Sequence, residues 1–278
     1  MSIEKLFEIE GLRCIEPSFA ELTDDLYTGM ILAEAADEAR LLVDENEQPI
    51  ALALRQDDAW GVASFVFRPA CMELIEVFEE AGGDIYQEPR EAWIKALRQY
   101  YAGELQRTVS PAPEDMRPDR PDLIGALLGE VWGERPGWTC LDCCCGSGTG
   151  SLGLRSLGMN PLAYDNDAEL LALGLASGRL LPEETMWIDG TRAGDYLDDP
   201  VDAGVALMLG DISTFNTPMW EEIVAELIDL SRETLIIVAT EPEVRLVAGW
   251  CEDAGREPEV RENDRDPIYD RWVCFSRE

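Results

Sequence analysis

The stretch Asp142-Cys-Cys-Cys-Gly146-Ser-Gly148-Thr-Gly150 decides the fold of this chain. It follows a short apolar run at residues 138–141 and precedes a run with leucines at helical spacing, Leu152, Leu154 and Leu157. An acid therefore ends a strand, glycines form a turn, and a helix begins. Glycine lacks a Cβ, so the backbone can turn sharply and approach a ligand closely. The free N–H groups at the start of the helix favour an anionic or carboxylate-bearing group. The stretch predicts a binding loop for a nucleoside-bearing cofactor.

The second half of the chain alternates between short apolar segments and helical patterns. Strands are predicted at residues 138–142, 161–164, 186–188, 203–209 and 234–239, and helices at residues 122–131, 168–178 and 220–228. Pro242 opens a further helix, and Gly255 is its predicted C-cap. This alternation predicts a parallel sheet with helices on both faces. Two final strands, near Val260 and at residues 272–275, predict an antiparallel hairpin at one edge.

The region from Pro121 to Glu278 resembles the class I, Rossmann-like S-adenosylmethionine-dependent methyltransferases. The glycine stretch is similar to the family's Asp/Glu-x-Gly-x-Gly-x-Gly loop, with Cys144 in place of the first glycine. Asp165 resembles the acid that closes the second strand, and Gly190-Thr191-Arg192 resembles the family's Gly-Asp-Ala element after the third. The resemblance implies an α/β fold: a Rossmann-like seven-stranded methyltransferase sheet with a smaller N-terminal α+β region.

The resemblance also implies the cofactor, S-adenosylmethionine, and the residues that bind it. The methionine end would be held by Asp142 and by the backbone of the loop, including Cys143, Cys144, Gly146 and Gly148. Asp165 would accept hydrogen bonds from both ribose hydroxyls, a task that suits a carboxylate. Asn166 would lie beside the adenine, and Asp189 or Thr191 would meet its amino group. The family usually has an acid where Thr191 stands. Each of these residues has a plainer alternative role in a turn or a helix cap.

A dinucleotide-binding oxidoreductase is the nearest alternative, because its fingerprint also joins a glycine loop to a downstream acid. That fingerprint is Gly-x-Gly-x-x-Gly. Here Ser151 occupies the sixth position, and the third glycine comes one residue early. The acid ahead of the loop, Asp142, is a trait of the methyltransferases. The spacing therefore favours the methyltransferase cofactor.

The methyl acceptor is less well defined by the sequence. The loop after the fourth strand runs Leu209-Gly210-Asp211-Ile-Ser213-Thr-Phe215 and lacks the Asp/Asn-Pro-Pro-Tyr/Phe of enzymes that methylate base amino groups. The Cys-Gly-Ser-Gly-Thr of the first loop, in contrast, is similar to that of several base-modifying enzymes. The preferred acceptor is a small molecule or a protein side chain. The chain has no histidine, so a catalytic base must be a carboxylate, tyrosine, thiolate or water. Asp211 is the candidate catalytic base, with a helix N-cap or solvated loop acid as the alternative. Tyr269 and Trp272 are candidates for the acceptor pocket, although Trp272 also suits a hairpin core.

The N-terminal part has a different pattern from the rest. Apolar runs between residues 40 and 67 predict a small antiparallel meander. Two helices follow, the first ending at Gly82-Gly83 and the second starting near Pro89 with an aromatic stripe typical of core packing. Four prolines lie between residues 110 and 121. We therefore expect an N-terminal region, 1–110, for acceptor selection or dimerisation, and a methyltransferase domain, 111–278.

The composition limits the partners. The chain of 278 residues has 57 acids and 22 bases, a net charge of −35. Like charge on this scale costs stability in dilute buffer and is screened by salt, which favours adaptation to a salty cytosol over an acidic surface for a basic partner. The acidity argues against nucleic acid, whose phosphates need clustered Lys and Arg. No apolar run is long enough to span a membrane and the start lacks a signal-peptide pattern, so we expect a cytoplasmic protein.

Eight cysteines are expected to be mainly buried thiols. Cys140 and Cys143 form a Cys-x-x-Cys, but the pair spans a strand end and the chain has no histidine and no second pair at zinc-like spacing. No metal site is therefore expected.

Three classes of function remain open on the sequence. They are a small-molecule or protein methyltransferase, a nucleic-acid methyltransferase whose N-terminal region recognises the substrate, and a non-catalytic cofactor-binding module used in assembly.

Overall fold

The computed structural model describes residues 1–33, 36–57, 59–266 and 268–278. They form two compact units, Met1–Glu104 and Leu105–Glu278. The boundary falls inside a long helix, Arg90–Thr108. Among the described residues, no helix has the length and apolar character required to cross a bilayer.

Unit 1 is a five-stranded mixed sheet with helices. Its elements are α1 (Ile3–Phe7), β1 (Leu12–Cys14), a 3-10 helix (Phe19–Thr23), α2 (Leu26–Leu32), β2 (Glu38–Val43), β3 (Pro49–Gln56), β4 (Ala59–Ser64), α3 (Met72–Ala81), β5 (Gly83–Gln87) and most of α4 (Arg90–Thr108). The strand order is β1-β4-β3-β2-β5. The predicted antiparallel meander is confirmed as β2-β3-β4. The two outer strands, which pair in parallel, were not predicted.

One buried cluster of unit 1 lies between this sheet and α3. Leu52 and Leu54 of β3 and Leu74 and Phe78 of α3 are buried together. The helix ends at Gly82, the predicted position, where φ is +68°. A left-handed φ is accessible to glycine at little cost, so the chain can turn from the helix directly into β5.

Unit 2 is a seven-stranded sheet with the connectivity of an α/β fold. Its elements are α5 (Arg120–Val131), β6 (Thr139–Cys143), α6 (Thr149–Ser156), β7 (Asn160–Asp165), α7 (Ala168–Ser177), a 3-10 helix (Pro182–Glu184), β8 (Thr185–Trp187), a 3-10 helix (Gly190–Tyr196), β9 (Val201–Leu207), α8 (Thr217–Asp229), β10 (Ser231–Val238), α9 (Glu241–Asp253), β11 (Glu259–Glu262) and β12 (Trp272–Arg277). The strand order is β11-β12-β10-β9-β6-β7-β8. The α/β class with a seven-stranded Rossmann-like sheet is confirmed.

The last two strands pair as an antiparallel hairpin, as predicted. β12 also pairs antiparallel with β10, so it lies inside the sheet and β11 forms the edge. One boundary was wrong: α9 is capped at its C-terminus by Ala254, and Gly255 follows with φ +79°. Thr240 caps the N-terminus of this helix in a reciprocal pair with Glu243.

The strand order reverses at β6, which pairs in parallel with β7 on one side and with β9 on the other. Connections from neighbouring strands leave in opposite directions at such a point, and a crevice opens at the carboxyl ends of the strands. The glycine stretch follows β6 at this crevice. Beneath it, Leu128, Leu154, Val205 and Leu235 are among the buried side chains that anchor helices to the sheet.

Candidate active site

The loop after β6 is built from left-handed backbone. Gly146 has φ +52° and Gly148 has φ +83°, and α6 begins immediately after Gly148. A Cβ at Gly148 would lie 2.5 Å from Cγ of Leu180. Cys144 also has a left-handed φ of +51°, at the position where the similar loops have their first glycine. The backbone therefore keeps the glycine-like conformation there, although a cysteine occupies the position.

Asp142 is buried directly behind this loop. Its Oδ2 accepts a hydrogen bond of 2.7 Å from Ser151 Oγ, and its Oδ1 has no partner among the described residues. A Cβ at Gly150 would lie 2.5 Å from Oδ1, so only glycine lets α6 start against the carboxylate. Burial raises the pKa of Asp142 to about 7, against a smaller opposing effect of the Ser151 hydrogen bonds.

Asp165 ends β7 and is held by two backbone amides. Gly146 N–H donates to Oδ2 at 2.8 Å, and Asp167 N–H donates to Oδ1 at 2.8 Å. Burial raises the pKa of Asp165, although these hydrogen bonds oppose the shift. A carboxylate has about four acceptor sites, so each oxygen can still accept a further hydrogen bond. The side chain is thus fixed in orientation and remains able to bind a ligand donor.

The residues predicted to meet the adenine lie at the ends of β7 and β8. Asp189 caps the 3-10 helix, because its Oδ1 accepts hydrogen bonds from the backbone N–H and the hydroxyl of Thr191 at 3.0 and 2.9 Å. The carbonyl of Asn166 accepts a 3.1 Å hydrogen bond from the indole of Trp187, which fixes the backbone at that end of β7.

A cavity of about 650 Å³ lies over these strand ends. The predicted cofactor residues that line it are Cys144, Gly146, Asp165, Asn166 and Asp189. The described lining does not include Asp142, Cys143, Gly148 or Thr191. Asp142 lies behind the lining residue Gly150, and Thr191 is bonded to the lining residue Asp189. The structure therefore brings five of the nine residues to one cavity, and the other four are not part of its described lining.

Asp211, the candidate base, is exposed in the loop after β9. As far as the described residues go, the cavity lining includes Leu209 and Gly210 but passes by Asp211. The backbone carbonyl of Asp211 accepts a 2.8 Å hydrogen bond from Asn216 Nδ2. Asp211 follows the lining residue Gly210 directly in the sequence.

Tyr269 lines the cavity, as predicted for an acceptor pocket, whereas Trp272 is not part of the described lining. Buried Asp266 fixes the backbone at Ile268 and Tyr269, because its Oδ1 accepts from their N–H groups at 2.9 and 3.1 Å. Trp272 instead pairs with Val238 and Glu262 inside the sheet. Its position agrees with the alternative of a hairpin core.

The sequence analysis missed one wall of the cavity, Asp115, Met116, Arg117 and Arg120. These residues lie within the proline-rich stretch, residues 110–121, that was interpreted as a boundary. Thr149 Oγ1 contacts Met116 Sδ at 3.0 Å, which ties this segment to the start of α6. A cluster of arginines in so acidic a chain is the one sequence signal that marked the segment.

The cysteines of the loop are poorly suited to act as nucleophiles. Cys143 is buried, and its Sγ lies 3.8 Å from Sγ of Cys144. The contact with Cys143 is the main cause of the raised pKa of Cys144, and burial is the second cause. Burial raises the pKa of Cys145. A raised pKa keeps a thiol protonated and unreactive at neutral pH. The described residues contain no group of three or more side chains that could hold a metal ion.

No protein-family model matches the chain, and no curated protein matches it in sequence. Solved methyltransferase structures resemble it in part. They include magnesium protoporphyrin IX methyltransferase from Synechocystis PCC 6803 with bound SAM (15% identity, 68% of this chain and 97% of that chain, TM-score 0.46). A putative RNA methyltransferase from Pyrococcus horikoshii is 16% identical over 63% of this chain and 95% of that chain, with a TM-score of 0.43. A TehB-like SAM-dependent methyltransferase from Corynebacterium glutamicum is 18% identical over 65% of this chain and 97% of that chain, with a TM-score of 0.40. Similarity at this level carries no functional argument, so the function must be inferred from the chain's own residues.

Proposed function

We propose that this chain is an S-adenosylmethionine-dependent methyltransferase that acts on a small-molecule or protein acceptor. The observation that carries the proposal is the direct hydrogen bond between Gly146 N–H of the glycine loop and the carboxylate of Asp165 at the end of the next strand. This bond joins the two parts of the expected cofactor site at one cavity wall. The volume of about 650 Å³ lies within the range of ordinary cofactor and ligand sites.

The residues present fit the cofactor. Asp165 retains acceptor capacity for two vicinal hydroxyls, and Gly146 and Gly150 line the same cavity without a side chain of their own. Asp189 and Asn166 border the same cavity and would hold the adenine end. S-adenosylmethionine supplies, when bound, a methyl group on a sulfonium sulfur. Asp142 acts through the loop, because its carboxylate supports Gly150 and Ser151 from behind.

The contribution of the protein to such a reaction is mainly to position and to exclude water. Tyr269 lines the cavity and carries a phenolic hydroxyl. Asp211 remains our candidate base, and it would have to act from the edge of the cavity after a movement of the loop that begins at Gly210, whose φ is +83°. We propose that the protein works in a salty cytosol, which would account for the net charge of −35. Unit 1 would then select the acceptor or form a homodimer.

The cofactor is tested by titration calorimetry in high salt with S-adenosylmethionine, S-adenosylhomocysteine and NAD. We expect micromolar binding of the first two and at least tenfold weaker binding to the Asp165→Ala variant. Asp253→Ala, which changes an exposed acid on α9, is the matched control and should bind as the original chain does. Binding of NAD alone, or of none of the three, would refute the proposal.

A further inference from the structure

The cavity is lined by polar and by apolar residues. Asp165, Asp189 and the glycine loop belong to the polar lining, which the proposed function assigns to the cofactor. Most of the apolar lining comes from the end of β9, the loop after it and the start of α8. These apolar residues include Leu207, Met208, Leu209, Met219, Trp220 and Ile223. Methionine and aromatic side chains pack well against flat, polarisable rings. These apolar lining residues therefore favour a ligand with a planar ring system.

The two arginines that line the cavity are paired with carboxylates. Arg120 Nε and Nη2 donate to the two carboxylate oxygens of buried Asp270, both at 3.1 Å. Arg117 forms the same type of two-point contact with Asp119, at 3.1 and 2.7 Å, and reaches buried Asp266 at 3.3 Å. Two positive charges face three negative ones. A phosphate or carboxylate ligand would have to compete with these partners, whereas an uncharged ligand would not.

Apolar side chains next to the lining residues are exposed to solvent. Phe215 is 96% exposed in the loop between Gly210 and Met219, and Ile268, beside Tyr269, is 61% exposed. Met219 and Tyr269 line the cavity and are each 43% exposed. Met219 and Tyr269 are therefore lining groups that a ligand can reach from solvent.

Trp220 adds a polar feature to the apolar wall. Its indole N–H is buried and makes no hydrogen bond within the part of the chain that the structure describes. A Cβ at Gly210 would lie 3.4 Å from Cζ2 on the same edge of the indole, so the glycine keeps this edge free of a side chain. A buried donor without a partner costs free energy, and a hydroxyl or carbonyl oxygen of a ligand would relieve that cost.

We infer that the acceptor is an uncharged aromatic small molecule, bound between Trp220, Met219 and Tyr269, with an oxygen or nitrogen that accepts a hydrogen bond from the indole. The inference rests on the proposed function and narrows it. It replaces the broader choice between small molecules and protein side chains with one class of ligand chemistry.

Binding of three related probes tests the inference. The probes are 2-naphthol, its anionic counterpart 2-naphthoate and the saturated 2-decalol, measured by equilibrium dialysis in high salt with saturating S-adenosylhomocysteine. We expect 2-naphthol to bind at least about tenfold more tightly than either of the others, because a buried anion is costly and a saturated ring cannot stack. Tighter binding of 2-naphthoate, or equal binding of 2-decalol, would overturn the inference.

Two matched variants locate the site. Met219→Glu introduces a carboxylate into the cavity wall, whereas Leu246→Glu introduces one at a residue of equal exposure, 43%, on α9. We expect the first to weaken 2-naphthol binding at least about tenfold and the second to change it less than twofold. Trp220→Phe should raise the dissociation constant for 2-naphthol, while the binding of S-adenosylhomocysteine is retained.

Further measurements separate the two proposals. If the unaltered chain does not bind S-adenosylhomocysteine, the proposed function itself is refuted. Retained cofactor binding, with 2-naphthol affinity unchanged by Met219→Glu, refutes only the acceptor inference. Methyl transfer to transfer RNA or casein, with none to 2-naphthol, also refutes it.

Discussion

The hydroxyl of Ser151 donates a hydrogen bond of 2.7 Å to Oδ2 of Asp142, and both side chains are buried beneath the glycine loop. The hydroxyl is the only described side-chain partner of a carboxylate whose second oxygen is unsatisfied. Burying an ionised carboxylate with so few hydrogen bonds is unfavourable, so the group takes up a proton more readily in the folded chain than in the unfolded one.

Replacing Asp142 by Asn is expected to flatten the pH dependence of stability. The pKa of this carboxyl rises from 3.8 to about 7 on folding. Its contribution to the free energy of unfolding is therefore fully present below about pH 4 and is lost as the pH rises towards 7. The loss is at most roughly 4 kcal/mol. Asn does not titrate, and it can still accept the hydrogen bond from Ser151.

Urea unfolding at pH 5, 6, 7 and 8 in high salt measures this difference. The free energy of unfolding of Asp142→Asn should increase relative to that of the original protein as the pH rises through this range. Other groups with a raised pKa, such as Asp165, are common to both proteins and cancel in the comparison. A gap that stays constant from pH 5 to 8 would contradict the assignment.

Cys144→Gly is expected to stabilise the protein. Cys144 has φ +51°, a left-handed conformation that costs a residue with a Cβ about 1–2 kcal/mol. Glycine removes this cost, but its greater freedom in the unfolded chain offsets part of the effect. The free energy of unfolding should therefore increase by about 0.5–1 kcal/mol. The neighbouring Cys145→Gly is the control. Its φ is not left-handed, and we expect a loss of stability in thermal unfolding.

Gly148→Ala is expected to destabilise unit 2 by about 1–3 kcal/mol. The new Cβ would meet Leu180 at 2.5 Å and would sit on a backbone with φ +83°. Gly125→Ala, within α5, offers the opposite case, because a Cβ there meets no atom within 4 Å. It should stabilise by about 0.4–1 kcal/mol. Equal effects of the two substitutions on the unfolding midpoint would be inconsistent with this loop geometry.

A buried ion pair in unit 1 predicts a further pH effect. Arg68 and Glu16 form a salt bridge with both side chains 1% exposed, and Glu16 also accepts a 3.0 Å hydrogen bond from Ser64 N–H. Arg68→Met should cost about 3–5 kcal/mol at neutral pH, because it leaves a buried charge without a partner. Burial already raises the pKa of Glu16 above its usual value, with Arg68 opposing the shift.

Without Arg68 the pKa of Glu16 should rise further, so protonation relieves the loss as the pH falls. The cost of Arg68→Met is therefore expected to be smaller at pH 5 than at pH 8. Adding Glu16→Gln to Arg68→Met should recover part of the stability at pH 8. A double variant no more stable than Arg68→Met at that pH would refute this explanation.

The sequence predicted unit 2 well because its signals are local. Apolar strands lead to Asp142 and Asp165, and glycines follow Asp142 where the backbone must turn, so the order of strands and helices could be predicted. The part of the cavity wall at Arg117 and Arg120 could not be predicted. Their partners, Asp266 and Asp270, lie about 150 residues away in the chain, and only the fold brings them together.

Unit 1 was predicted less completely for a related reason. The meander residues have apolar runs separated by polar turns, and the structure confirms those strands. β1 has only three residues, and β5 is largely exposed, so neither has the alternation that marks a half-buried strand. Both are held by parallel pairing with β4 and β2. Parallel partners are distant in sequence and leave no local pattern.

The position of β12 between β10 and β11 has a consequence for aggregation. β10 is almost completely buried, and a chain lacking β12 would expose its Leu, Ile and Val residues along an unpaired edge. At this edge of the complete sheet the outermost strand is β11, four residues long, and Glu259, Arg261 and Glu262 in it are exposed. A short edge rich in charge is a poor template for a strand from another molecule. β12 and β11 thus turn an edge that would attract other chains into one that keeps them apart.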